Sequence, residues 1–74
     1  MGRLAGLTFL DVTHKLRRAG FEFYRCARGS HEIWWNPEAR VRVMVPRHPG
    51  DIHEGTVRAI VRQTGLSVDE FLEL

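Results

Sequence analysis

The chain has 74 residues, of which 43% are hydrophobic and 27% charged, and its formal net charge is +2 at pH 7. This length predicts a single domain over residues 1–74, with a small core and no deep pocket for a cofactor. The lone cysteine, Cys26, excludes an internal disulfide and a cysteine-based zinc site. No apolar run suits a membrane span or a signal peptide, so we expect a cytoplasmic protein with no membrane partner.

The first periodic segment runs from about residue 8 to residue 19 and predicts an amphipathic helix. Thr8 followed by Asp11 fits a capping box with aspartate in the glutamate position. Gly20 is a natural left-handed stop. The residues expected to face the core are Phe9, Val12, Leu16 and Ala19.

The period then changes to two, which predicts three strands over residues 21–26, 31–35 and 40–45. Short turns between neighbouring strands imply an antiparallel meander. Pro46 ends the third strand because proline cannot donate to the ladder. After a loop, a second helix is predicted to begin between residues 51 and 56 and to end at Gly65.

A last short helix is predicted from the capping box formed by Ser67 and Glu70. The fold class is therefore α+β, with a three-stranded antiparallel sheet and both main helices on one face. This is the α-β-β-β-α arrangement of a double-stranded-RNA-binding domain, with a short C-terminal helix added.

The other face of the sheet is expected to be open, lined by Tyr24, Trp34, Arg40 and Arg42. Trp34 and Trp35 have opposite strand parity, so one belongs to the core and the other to the open face. The exposed tryptophan could stack on bases or form a protein interface, and we favour the interface. Tyr24, Trp34 and Arg42 are therefore the predicted partner-binding residues.

Ten of the eleven basic residues are arginine. The planar guanidinium suits phosphate oxygens, so the composition is compatible with a nucleic-acid partner. A coding bias toward arginine explains the same excess, and the composition does not separate the two explanations.

His31 is the main catalytic candidate. It follows Gly29 and Ser30 at a turn–strand junction, where glycine lets a ligand backbone come close. An imidazole titrates near neutral pH and can take the proton of an RNA 2′-hydroxyl, which then attacks the adjacent phosphorus without a metal ion. A lone histidine at the start of a strand is often structural, so the residues themselves leave both roles open.

His48 is a second catalytic candidate, in a loop stiffened by two prolines and beside Arg47, which could hold a phosphate. It could protonate the leaving 5′-oxygen, or it could only shape the loop. His14 is interpreted as a solvated residue of the first helix, and His53 as a neighbour of the second helix's cap.

Metal-dependent chemistry and serine nucleophiles are disfavoured. No two histidines have i, i+4 spacing, and neither a cysteine cluster nor an acidic cluster suited to Mg²⁺ is present in the sequence. We therefore predict no metal ligands and no cofactor. Ser30 and His31 make a poor nucleophile–base pair, because adjacent residues of a strand point to opposite faces.

Short motifs along nearly the whole chain carry a family resemblance. In order, they are Gly20-Phe21, Gly29-Ser30-His31, Val45-Pro46-Arg47-His48, Gly55-Thr56-Val57-Arg58-Ala59-Ile60 and Gly65-Leu66-Ser67-Val68-Asp69-Glu70-Phe71-Leu72. Each motif is weak alone. Their order and spacing together resemble the HicA (YcfA-like) toxins.

This resemblance implies an mRNA interferase, the endoribonuclease toxin of a type II toxin–antitoxin system, whose toxicity depends on the histidine at the position of His31. Arg28, Gly29, Ser30 and Arg47 are the expected RNA-binding residues around it. The resemblance also implies a HicB-type antitoxin that binds the toxin and covers its active region. A homodimer and a toxin–antitoxin hetero-oligomer both remain open.

Two alternatives also remain open: a non-catalytic RNA-binding module, and a retired toxin that acts only as a protein-interaction domain. Duplex RNA is disfavoured as the main ligand. Domains that bind duplex RNA place lysines at the start of the last long helix, whereas Asp51 and Glu54 lie there in this chain and repel phosphate. The expected substrate is single-stranded or translated mRNA.

Overall fold

The helices and strands follow the predicted order in a computed structural model, which describes residues 2–74. They are α1 (Phe9–Arg18), β1 (Glu22–Cys26), β2 (His31–Asn36), β3 (Val41–Pro46), α2 (Glu54–Thr64) and α3 (Val68–Leu72). The strands form one antiparallel sheet in the order β1-β2-β3. The α+β, α-β-β-β-α prediction is thus confirmed. Within residues 2–74, no helix is long and apolar enough to cross a bilayer.

The core lies between the two main helices and the inner face of the sheet. Alternation along β3 buries Val43 and Val45 and exposes Arg42 and Met44, as a half-buried strand requires. The other large buried side chains are Leu4, Val12, Leu16, Phe21, Trp34, Ile52, Val57, Ile60, Val61 and Phe71. Their spacing on α1 and α2 is helical, so the periodicity of the sequence indicates correctly which side of each helix packs inward.

Both predicted capping boxes are present. Thr8 Oγ1 accepts from the backbone N–H of Asp11 at 3.2 Å, and the Asp11 carboxylate accepts from that of Thr8 at 2.9 Å. Ser67 and Glu70 make the same reciprocal pair at the start of α3. Gly65 ends α2 with φ of 81°, a left-handed conformation that glycine adopts without strain.

The Asp11 cap predicts a pH-dependent stability. The backbone hydrogen bond from Thr8 lowers the pKa of Asp11 below its ordinary value of 3.8. The ionised carboxylate is thus favoured by folding, and its contribution is present above the unfolded pKa and lost as pH falls through the folded value. We expect Asp11→Ala to unfold at lower urea than wild type at pH 7, with the difference shrinking toward about pH 3. A difference that stays constant over this range would contradict the assignment.

Two predictions for the open face of the sheet were wrong. Trp34 is 3% exposed and lies on the helix face, in edge contact with Phe23 (6.2 Å between ring centroids) and below the Arg17 guanidinium at 5.1 Å. A side chain this deeply buried presents no surface to a partner. Arg40 lies outside β3, in the preceding turn, with φ of 61°.

Trp35 takes the open-face place predicted for Trp34. The Arg42 guanidinium lies 5.5 Å from the Trp35 ring and 5.6 Å from the Tyr24 ring, so the three side chains form one stacked group. The β1–β2 pairing shifts register between Phe23 and Arg25, which leaves Tyr24 at the bulge. The predicted open-face positions of Tyr24 and Arg42 are confirmed.

Candidate active site

The turn between β1 and β2 fixes the position of His31. The Ala27 N–H donates to the His31 carbonyl at 2.8 Å and closes the turn. Gly29 has φ of 69°, a conformation that side chains with a Cβ rarely adopt. His31 is then the first residue of β2, paired with Pro46 of β3. A residue at such a junction is held by the ladder while its side chain stays exposed to solvent.

The His31 ring has a defined hydrogen-bonding partner. Its Nδ1 lies 3.2 Å from the carbonyl oxygen of Arg28. A carbonyl oxygen only accepts hydrogen bonds, so Nδ1 carries the proton and donates it. In the neutral ring the lone pair is therefore on Nε2, which is the form that a general base requires.

The loop between β3 and α2 folds back beside this turn. The Arg47 N–H donates to the Ser30 carbonyl at 2.8 Å, and the Ile52 N–H donates to the Leu7 carbonyl at 2.8 Å. Asp51 forms a β-bridge with Thr8, and the buried Ile52 side chain anchors the end of the loop in the core. These contacts bring residues 46–53 next to the start of β2.

Three of the four histidines line one cavity of about 500 Å³ between the ends of β2 and β3 and the start of α2. Its lining residues are His31, Pro46, His48, Asp51, Ile52, His53 and Thr56. The two catalytic candidates, His31 and His48, are thus brought together by the fold. Sequence reasoning missed His53 as a member of this site.

A shallower depression adjoins the cavity and carries other predicted RNA-binding residues. It is lined by Phe9, Ser30, Arg47, His48 and Pro49. His48 belongs to both depressions and so lies on their common rim. The predicted RNA-binding residues Gly29 and Arg28 are exposed on the neighbouring turn. All the residues predicted to contact RNA therefore lie in one region of the surface.

Arg47 is already paired. Its Nε lies 3.5 Å from Glu32 Oε2, and its guanidinium lies 5.8 Å from the Phe9 ring. The other oxygen of the largely buried Glu32 carboxylate accepts from Trp34 Nε1 at 3.0 Å. These contacts orient the Arg47 side chain, but the Glu32 carboxylate offsets part of its charge toward a phosphate.

Asp51, in the loop before α2, and Glu54, the first residue of α2, differ in their surroundings. Glu54 has the Arg58 guanidinium 3.5 Å away, one turn along the helix, so its charge is partly offset. Asp51 lines the cavity, where a carboxylate opposes an incoming phosphate. No group of three or more histidine, cysteine or acidic side chains within residues 2–74 is arranged to hold a metal ion.

Comparison with known proteins places this site in a family. The model of the HicA toxin of bacterial toxin–antitoxin systems matches residues 10–66, which is most of the chain and includes the β1–β2 turn and His31. No curated protein matches the sequence. The family match covers all three strands, α2 and all but the first residue of α1, and on that basis the chain belongs to the HicA toxin family.

Proposed function

We propose that this toxin is an endoribonuclease that cleaves mRNA without a metal ion and uses His31 as its general base. The observation that carries this proposal is the hydrogen bond from His31 Nδ1 to the Arg28 carbonyl. That bond orients the ring and leaves the Nε2 lone pair available beside a cavity wide enough for a nucleotide phosphate.

The reaction needs only groups that the RNA and the cavity supply. His31 Nε2 takes the proton of the 2′-hydroxyl, and the 2′-oxygen forms a bond to phosphorus. The bond from phosphorus to the 5′-oxygen then breaks, and that oxygen takes a proton, which we assign to the His48 imidazolium on the cavity rim. The products are a 2′,3′-cyclic phosphate and a 5′-hydroxyl.

The β1–β2 turn and the start of the next loop are the proposed RNA-binding surface. The Arg28 and Arg47 guanidiniums attract phosphate, while Gly29 and Ser30 present backbone to it. Apart from Gly29 and its two chain neighbours, no residue has an atom within 4 Å of the place where a Cβ on Gly29 would be, so an RNA strand can approach this turn closely. The Asp51 carboxylate also lines the cavity and opposes phosphate, so the two guanidiniums must outweigh it for an RNA strand to bind.

A HicB-type antitoxin is the proposed partner, docking on the open face of the sheet. Tyr24 is 52% and Met44 45% exposed there, beside the stacked Arg42 and Trp35. Aromatic, methionine and arginine side chains are enriched at protein interfaces. Strand alternation puts His31 on the same side of β2 as Trp35, so one antitoxin on this face could cover the active region too.

The proposal is tested by incubating the purified protein with single-stranded RNA in EDTA. We expect cleavage, with fragments that end in 2′,3′-cyclic phosphate, because the 2′-hydroxyl itself is the nucleophile. An RNA of the same sequence with 2′-deoxyribose at the cleaved positions is the matched control and should stay intact. Mass spectrometry of the fragments identifies the ends.

The other outcomes separate the alternatives. Salt-sensitive RNA binding without cleavage by the folded protein would favour a non-catalytic RNA-binding module. Antitoxin binding with no affinity for RNA at moderate salt would favour a retired toxin. Cleavage that requires an added metal ion would contradict the proposed chemistry.

A further inference from the structure

His53 has two roles in the fold that give its ring a fixed direction. It is the N-cap of α2, and its Nδ1 accepts the backbone N–H of Gly55 at 3.1 Å. Its carbonyl oxygen accepts from the N–H groups of Thr56 and Val57. The same side chain lines the cavity that contains His31. The histidine is therefore anchored on one side by the helix start and faces the candidate active site.

Gly55 makes room for this arrangement. A Cβ at Gly55 would lie 3.3 Å from Nδ1 and 3.4 Å from Cε1 of His53, which is closer than most Cβ contacts. A larger residue there would press on the ring. The absence of a side chain at Gly55 thus helps the ring to lie over the first turn of α2 and cap it.

His31 and His53 have opposite hydrogen-bonding patterns around one cavity. His31 Nδ1 donates to a carbonyl, which leaves a lone pair on Nε2. His53 Nδ1 accepts an N–H, which places the ring proton on Nε2. The first ring is arranged to take a proton, and the second is arranged to donate a hydrogen bond.

We propose that His53 donates a hydrogen bond from Nε2–H to a non-bridging oxygen of the phosphate undergoing cleavage. This inference rests on the proposed ribonuclease function and adds a residue to it. Negative charge grows on those oxygens as the 2′-oxygen attacks, and a donor already in place stabilises it without reorganisation. Because the Glu32 carboxylate partly neutralises Arg47, the guanidinium stabilises the phosphate less. An N–H donor directed at the phosphate therefore supplies a larger share of the stabilisation.

Two substitutions separate this role from helix capping. Serine and asparagine are both good N-caps, so His53→Ser and His53→Asn should keep the thermal stability of wild type. Only asparagine adds an amide N–H₂ that can reach toward the cavity. We expect kcat to fall by about 100-fold in His53→Ser and by about tenfold in His53→Asn, with little change in KM.

The kinetic constants of the two variants separate transition-state stabilisation from RNA binding. Activity of folded His53→Ser within about twofold of wild type would show that no donor is needed at this position. Equal losses in the two variants would also contradict the proposal, because both keep the cap and only asparagine extends a donor beyond the position of the serine hydroxyl. A rise in KM with kcat unchanged would mean that His53 binds the RNA equally in the ground state and the transition state. That result would overturn the transition-state role.

A second measurement does not depend on turnover. Long-range ¹H–¹⁵N NMR of the wild-type protein reports which ring nitrogen is protonated, and we expect Nε2–H for His53 and Nδ1–H for His31. Uridine 3′-monophosphate should shift the His53 Nε2 signals. A proton on His53 Nδ1 would overturn the inference. If the nucleotide shifts these signals but the protein cleaves no RNA, the proposed ribonuclease function would be refuted. His53 would then remain as a hydrogen-bond donor to a bound phosphate.

Discussion

His31→Ala is expected to lower the rate of RNA cleavage by about 100- to 10,000-fold, the range that general-base catalysis supplies. The Arg28 carbonyl binds Nδ1 of His31 and so orients the ring with its lone pair on Nε2. Without this imidazole, the cavity loses its oriented base. The side chain is exposed, so its loss should change the free energy of unfolding by about 1 kcal/mol or less. RNA cleavage rates and urea unfolding of the same preparations measure the two effects.

His14→Ala is the matched control for this substitution. It removes an exposed imidazole from α1, where the neighbours are Arg17 and Arg18, and leaves the three-histidine cavity intact. We expect cleavage and growth arrest close to those of wild type. A folded His31→Ala protein that still arrests growth and cuts RNA would remove His31 from the mechanism. Loss of activity in His14→Ala as well would indicate that α1 binds the RNA.

Trp34→Ala should have the largest effect on stability, about 3–5 kcal/mol. The ring is buried against Phe23, and its Nε1 donates to Glu32, which in turn holds Arg47. Alanine leaves a cavity in a small core and removes one of the two partners of the largely buried Glu32 carboxylate. A domain of this size has a free energy of unfolding near 5–15 kcal/mol, so the variant should be largely unfolded at moderate urea.

Trp35→Ala is the comparison on the other side of β2. Trp35 lies on the open face beside Arg42 and is only partly buried, so we expect a loss of about 1 kcal/mol or less in unfolding free energy. Its main effect should be weaker binding of the antitoxin, measured by calorimetry. If Trp35→Ala lowered the free energy of unfolding more than Trp34→Ala does, the assignment of the two tryptophans to opposite faces would be contradicted.

Local patterns in the sequence are sufficient to predict the positions of most of the helices and strands. The capping boxes at Thr8 and Ser67 and the left-handed stop at Gly65 depend on residues within three or four positions of one another. Such signals do not need the rest of the chain, because the hydrogen bonds that they predict close within a single turn. For the same reason α1 and α2 begin and end within a few residues of the predicted positions.

Local patterns could not predict which of the two tryptophans is buried and which lies on the open face. Two adjacent aromatic residues satisfy either strand parity equally well, and only the pairing of Trp34 with Val43 and Phe23 in the sheet decides between them. Arg40 was misplaced because its positive φ belongs to the turn before β3, a conformation uncommon for an arginine. Neither the pairing register nor that turn is encoded in hydrophobic alternation.

The α+β fold and the resemblance to the HicA family follow from periodicity and short motifs in the sequence, and the same resemblance makes His31 the predicted catalytic residue. That His48 and His53 share a cavity with His31 is seen only in the packed fold. Their meeting depends on where the loop after β3 turns back, and that path is set by the Arg47–Ser30 and Ile52–Leu7 backbone hydrogen bonds. Contacts between residues distant in the chain form only when the core packs, so no local pattern specifies them.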